Sequence, residues 1–409
     1  MEPEPRYIGM ISTKQKASPS FAEFVIIISL MMSLTALSID AMLPALPQIG
    51  SDLSVQDAND CQLVVSTIFL GLAVGQLFFG PLSDRTGRKP AVYIGYAFYI
   101  GGALLAGLAV SFPMLLIGRL LQGIGASSPR AIILALVRDR YKGRAMARVM
   151  SFVMTVFILV PMIAPNLGQA ILLFYGWRSI FGGFVVLALI TLTWFALRMP
   201  ETLAPENRAP FSLQRIIDAI REILRNRTAT GYTVSAGLVG GAFLGYLSSA
   251  QQIFQEQYAL GERFPIYFSI IAFSLGLASF LNARLVMRYG MRFLVRWSLY
   301  IIIGLATIAL GIALLVSGQP PLWFMMAYLM STFFCVGILF GNQNSLAMEP
   351  LGNLAGIGAA VVGSLSTLIQ MPLGTIIGQS YNSTVIPLIV GIAVSVGISI
   401  FVVRWAESN

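Results

Sequence analysis

The chain has 409 residues, 57% of them hydrophobic and 11% charged, with a mean hydropathy of +0.81 and a formal net charge of +9. A soluble domain carries about a quarter charged residues, so a water-facing surface cannot be built from this composition. The basic excess sits in short clusters between long apolar runs with no RNA- or DNA-reading motif, which excludes nucleic acid as a partner.

The stretch from Met1 to Ser20 is polar, with Pro3, Pro5, Lys14 and Lys16, and lacks the apolar core and small-residue cleavage site of a signal peptide. Residues 1–22 are read as a cytoplasmic tail. A helix crosses the hydrocarbon with about 20 apolar residues. On that rule, spans fall near 23–49, 62–82, 91–110, 113–136, 147–172 and 178–198. Six more follow near 229–252, 265–287, 294–316, 322–347, 355–379 and 384–405. The expected fold is an all-α integral membrane protein, with a six-helix bundle at 23–198, a linker at 199–228 and a second bundle at 229–409.

Lys and Arg orient these spans, because cytoplasmic loops collect them. Of the 26, 22 fall on the side of the N-terminus, only Arg178 and Arg263 fall opposite, and Arg119 and Arg130 lie inside a span. Both termini are therefore expected in the cytoplasm. The linker opens with Pro200, Pro205 and Pro210, after which Ser212 precedes Leu213, Ile216, Ile217, Ile220, Ile223 and Leu224 at helical spacing. That pattern predicts an amphipathic helix lying on membrane lipid.

The halves repeat. Gly80-Pro-Leu-Ser-Asp84-Arg85-Thr-Gly87-Arg88-Lys89 follows span 2, and Ala283-Arg284-Leu-Val-Met287-Arg288-Tyr-Gly290-Met-Arg292 follows span 8. Arg85 matches Arg288, Gly87 matches Gly290 and Lys89 matches Arg292, with Met287 standing where Asp84 would be. Two related six-helix halves around a midplane site is transporter architecture.

The Gly80–Lys89 loop resembles the cytoplasmic signature of the major facilitator superfamily. Arg119-Leu-Leu-Gln122-Gly123-Ile-Gly125 is similar to the second signature, typical of proton-coupled members. Pro161-Met-Ile-Ala-Pro165-Asn-Leu-Gly168 resembles the motif of drug/proton antiporters, though it is less glycine-rich. Ile39-Asp40-Ala-Met-Leu43-Pro44-Ala-Leu-Pro47, Leu281-Asn282-Ala283-Arg284 and Val137-Arg138-Asp139 look like the bicyclomycin/chloramphenicol-resistance (Bcr/CflA) branch. The resemblance implies export driven by inward proton flow, a monomer, and a bacterial inner-membrane location. It also implies that Asp84 docks at a helix end between the halves and helps hold an outward-facing state, and that Arg88 and Asp139 pair beside it.

Of 17 acidic residues only Asp40 lies deep in a span. A carboxylate there is costly unless paired or facing water. It is either a structural partner for a base or the group that loads and releases the proton. Asp40 lies nine residues before Ile49 and Arg119 six after Pro113, which at ~1.5 Å per residue puts both at one depth. An Asp40–Arg119 pair is therefore expected, unless Arg119 braces backbone carbonyls instead. Arg130 comes three turns after Arg119 on the same face. If it lines the cavity, it tilts the cargo towards neutral or anionic molecules; otherwise it snorkels to the surface. Asn342 and Gln370 are candidates for hydrogen bonds to substrate, or bridge helices. Pro161, Pro165 and Gly168 predict a kinked helix packed closely on its neighbour.

With no His, and with Cys61 and Cys335 far apart, no metal, cofactor or catalytic constellation is implied, and the chain is not expected to be an enzyme. The leading expectation is a proton-coupled exporter of small-molecule drugs. Export of a metabolite or siderophore, or a non-transporting receptor derived from a carrier, stays open.

Overall fold

A segment in hydrocarbon must satisfy its backbone groups internally, and the apolar runs do so as helix throughout. The computed structural model describes residues 19–408, so the expected N-terminal tail lies outside the described residues as far as residue 18. The first span is α1 (Phe21–Asp40), a 3-10 turn at Leu43–Ala45, and α2 (Leu46–Asp52). Pro44 and Pro47 account for the break, since neither can donate to the preceding turn. The first bundle continues with α3 (Leu63–Thr86), α4 (Arg88–Gly107), α5 (Phe112–Arg140), α6 (Gly143–Tyr175) and α7 (Trp177–Arg198). After the linker helix α8 (Leu213–Arg225) come α9 (Arg227–Gln251), α10 (Phe264–Tyr289), α11 (Met291–Leu315), α12 (Leu322–Met348), α13 (Ala355–Gln379) and α14 (Ile386–Glu407). Among the described residues, twelve helical segments are long and apolar enough to cross a membrane.

The repeat reaches the backbone. Gly87 (φ 104°) and Gly290 (φ 80°), 203 residues apart, both stand between two helices in the left-handed region that favours glycine. Ser212 caps α8 by accepting the Arg215 amide at 3.3 Å. Ile216, Ala219 and Ile223 of α8 are buried against the body, while Leu213, Ile217 and Leu224 stay exposed beside its arginines.

The bundles meet along an α3–α13 seam and an α6–α10 seam. We call the end bearing α8 the linker face and the opposite end the far face. Among the described residues, the hydrogen bonds joining the bundles lie at the far face, in the far half of the α6–α10 seam, or at mid-height. At mid-height, Ser364 Oγ donates to the Ala73 carbonyl at 2.7 Å. In the α6–α10 seam, Asn166 Nδ2 donates to Ser269 Oγ (2.7 Å), which donates to the Met162 carbonyl (2.6 Å). No hydrogen bond or ion pair among the described residues joins the bundles at the linker face. Among the described residues, polar fastening between the bundles is therefore confined to mid-height and the far half.

Candidate functional site

Asp40 is the last residue of α1, at the lip of the break, and is 5% exposed. No hydrogen bond or ion pair to its carboxylate is formed among the described residues. The Leu43–Ala45 turn beside it packs on α9 of the other bundle. Tyr246 of α9 lies within electrostatic reach of the carboxylate. Its ring is held by Phe268 (centroids 5.7 Å) and Phe333 (4.6 Å), and its buried hydroxyl has no partner among the described residues. On the other side of the break, a Cβ on Gly168 of α6 would run into the Ala41 carbonyl. Gly168 thus brings α6 against the backbone next to Asp40, the close approach expected of that motif; Pro161 and Pro165 lie inside the same helix.

Arg119 does not pair with Asp40. It is fully buried; its Nε donates to the Val64 carbonyl (3.0 Å), its Nη1 donates to Gln122 Oε1 (2.8 Å), and the guanidinium lies 5.9 Å from the Phe181 ring centroid. Gln122 in turn donates to Ser38 Oγ (3.5 Å), which shares a 2.6 Å hydrogen bond with Tyr99 Oη. Arg119 therefore reaches α1, but through Ser38. Ser38 and Asp40 are two residues apart, about 200° around the helix. Matching depth gave the right level and the wrong face, and Arg119 is placed as a brace between α3 and α5.

Arg130 is exposed and, among the described residues, forms no hydrogen bond or ion pair. Asn342 is 3% exposed and bridges helices, donating to Asn282 Oδ1 (2.8 Å) and the Ile338 carbonyl (3.0 Å). Its amide is thereby engaged between α10 and α12 instead of being free for a ligand. Gln370 is half-buried, and a Cβ on Gly240 would lie 2.6 Å from its Oε1, so it fills the space left by that glycine.

At the linker face Arg88, 3% exposed, gathers the loop motif. Its Nη1 donates to Asp84 Oδ1 (2.6 Å) and Ser83 Oγ (2.8 Å), and its Nε donates to Asp139 Oδ2 (3.0 Å), so the expected Arg88–Asp139 pair is formed. Lys89 Nζ donates to the Ala196 and Met199 carbonyls at 3.0 and 2.7 Å, while Arg85 is exposed. Gly80 sits on the α3–α13 seam, where a Cβ would lie 3.8 Å from that of Ala360, and Asp84 shares a small hollow with Ile357 in the first turn of α13. Glu201 completes the cluster by accepting the backbone amides of Arg88 (2.9 Å) and Lys89 (3.0 Å), which caps α4 from the linker. Sequence reasoning missed it.

It also missed the far-face fastening. Asn59 Nδ2 donates to the carbonyls of Gln379 (3.1 Å) and Tyr381 (3.0 Å), and Gln379 Nε2 donates back to the Asn59 carbonyl (2.9 Å). Gln252 Nε2 donates to Asn59 Oδ1 (2.8 Å), and Gln62 Nε2 donates to Gln252 Oε1. Gln252 opens a π-helical turn, Gln252–Gln257, and Tyr381 Oη donates to its carbonyl at 3.4 Å. Burial, with the Glu256 charge adding to it, pushes the Tyr381 phenol up to about 12, so it keeps its proton at neutral pH.

The Major Facilitator Superfamily model matches residues 28–378, spanning both bundles and the seams between them. The chain belongs to the major facilitator superfamily. It is 30% identical over 365 residues to the MFS-type transporter YdgK of Bacillus subtilis (strain 168), covering 88% of this chain and 90% of that one. It is 26% identical over 405 residues to the bicyclomycin resistance protein homolog of Haemophilus influenzae, covering 94% and 96%. In fold it is similar to the D-xylose-proton symporter, with a TM-score of 0.72 at 15% identity over 95% of this chain and 98% of that one. These relatives agree with the likeness to the Bcr/CflA branch carried by the Asp40, Asn282 and Asp139 motifs. The chain is a multi-pass membrane transporter of small molecules and not an enzyme.

Proposed function

We propose that this superfamily member exports small-molecule drugs in exchange for inward-moving protons. Asp40 carries the reading. It is the one acid deep in the spans, it is buried without a partner, and it sits at a helix break against the opposite bundle. A carboxyl group held in such a place can take up and give back a proton. A proton on Asp40 and cargo in the cavity then bias the two bundle arrangements differently, and a ligand shifts such an equilibrium only by its differential affinity for the two states.

The linker face is the cytoplasmic one in this reading, on the strength of the 22-to-2 distribution of Lys and Arg between the two sides. The far-face fastening then closes the outside. Asp84, Arg88 and Asp139 are gating parts that change partners when the cytoplasmic side closes. The protein acts as a monomer in the bacterial inner membrane and moves one proton per cycle. A specific observation, the unpaired Arg130, favours a second reading in which the cargo is a metabolite or siderophore.

The test is susceptibility of bacteria stripped of their own pumps, across chloramphenicol-like, bicyclomycin-like, cationic-dye and siderophore compounds. Asp40→Asn runs beside wild type at matched expression. Protection by wild type that Asp40→Asn loses supports both the exporter and the proton site. Equal protection by the two removes Asp40 from the role.

A further inference from the structure

Arg130 stands in a position that lipid cannot explain. It comes eleven residues after the fully buried Arg119, a rotation of about 20° beyond three full turns. Ala126, one turn before Arg130 and about 40° around the helix from it, has its carbonyl hydrogen-bonded by Thr35 of α1 (3.0 Å), so this side of α5 faces the bundle interior. The exposed surface of Arg130 therefore lies on the interior side of the helix. The expected span ends near residue 136, six residues or ~9 Å of rise further on, and from the interior side any reach towards that surface runs along the bundle interior and not through lipid. Leu134 and Arg138, each four residues further on, are exposed as well. The three form a stripe running from hydrocarbon depth to the linker face.

A guanidinium at that depth is costly unless it meets water or an opposite charge. Arg119 has a carbonyl and an amide; among the described residues Arg130 has neither. The interior of the spans thus carries Arg119 and Arg130 against Asp40 alone, a net positive charge with Asp40 ionised and a larger one with it protonated. We infer that Arg130 anchors an anionic group on the cargo, so that the preferred substrates are organic anions such as carboxylates.

This inference rests on the exporter reading and narrows its cargo. It also changes the energetics. An anion leaving against one entering proton moves two charges in the same electrical sense per cycle, so the membrane potential drives both arms. Exchange of a cation for a proton would be electrically silent.

The test is equilibrium binding to the purified full-length protein in detergent, without a proton gradient. Three xanthene dyes of one shape serve as probes: fluorescein, its neutral ether-ester derivative, and cationic rhodamine 123. Wild type is expected to bind fluorescein at least tenfold more tightly than the neutral dye. Arg130→Gln is expected to erase that difference and Arg130→Lys to keep most of it, both with unchanged melting because no bond is lost. Fluorescein binding by Arg130→Gln at wild-type affinity overturns the inference. So does a wild type that binds no dye, or that ranks the neutral or cationic dye level with or above fluorescein. Because no proton moves in this measurement, failure here is distinct from failure of the Asp40 assignment.

Discussion

Ser38 and Asp40 stand two residues apart at the end of α1 and face opposite ways. Ser38 joins Tyr99 and, through Gln122, Arg119 inside the first bundle, whereas Asp40 lies beside the turn that packs on α9 of the second. One helix end thus separates a polar brace inside one bundle from an acid at the seam between the two. The brace ties together four helices, α1, α3, α4 and α5. The acid is tied to none of the described residues.

That contrast predicts opposite mutational behaviour. Arg119→Ala leaves the Val64 carbonyl and Gln122 Oε1 without a donor in the core, and hydrogen bonds to charged groups are worth about 1.5–3 kcal/mol each. Its melting temperature in detergent should fall by several degrees. Asp40→Asn removes no bond and should melt at or above wild type while losing proton-driven transport. A stable Arg119→Ala with normal transport would remove the brace from the argument, and a destabilised Asp40→Asn would mean that the carboxylate holds the fold.

The far-face fastening predicts a shift in conformation. Asn59→Ala removes the donor to Gln379 and Tyr381 and the acceptor for Gln252, each bond worth about 0.5–1.5 kcal/mol net. Cys61, 6% exposed two residues away, is a native reporter. Its labelling by a membrane-impermeant maleimide should rise several-fold in Asn59→Ala, with Cys335→Ser as the background. Unchanged labelling would mean that other contacts hold the far face shut.

What the sequence reveals and what it hides divides along physical lines. The twelve spans are legible because the hydrocarbon thickness imposes length and apolarity on each, and the repeat is legible because Gly87 and Gly290 answer to the same backbone need. Asp40 is visible as the lone acid in the spans. Its lack of a partner is not, because residue counting gives depth along a helix but not direction around it. The role of Gln252 depends on a π-helical turn that re-aims it towards Asn59, and such a turn leaves no trace in hydropathy. Glu201 caps α4 from more than a hundred residues away, so no local motif announces it.

Glu201 accordingly carries a prediction that the loop signature alone would not make. Its carboxylate accepts the Arg88 and Lys89 amides at the positive end of α4 and also the Thr202 and Leu203 amides. Glu201→Ala should cost about 0.5–2 kcal/mol, as loss of a helix cap does. It should also loosen the setting of Arg88 between Asp84 and Asp139. Melting of the purified variant reads the first effect, and faster proteolysis in the linker reads the second. A variant that melts and resists protease like wild type would show that solvent replaces the cap.

Gly168 gives the last test, because it sets the antiporter motif against Ala41, the residue next to Asp40. A methyl there collides with the Ala41 carbonyl at the break of α1, and overpacking of this kind costs about 1–3 kcal/mol where the backbone must move. Gly168→Ala is expected to push the α1 break away from α6 and towards α9, disturbing Asp40 without touching it. Proton release on cargo binding should weaken several-fold while the protein still inserts and purifies. Gly182, whose added Cβ meets nothing within 4 Å, is the control: Gly182→Ala should behave as wild type. If Gly168→Ala couples protons normally, the close approach of α6 to the helix break is packing alone.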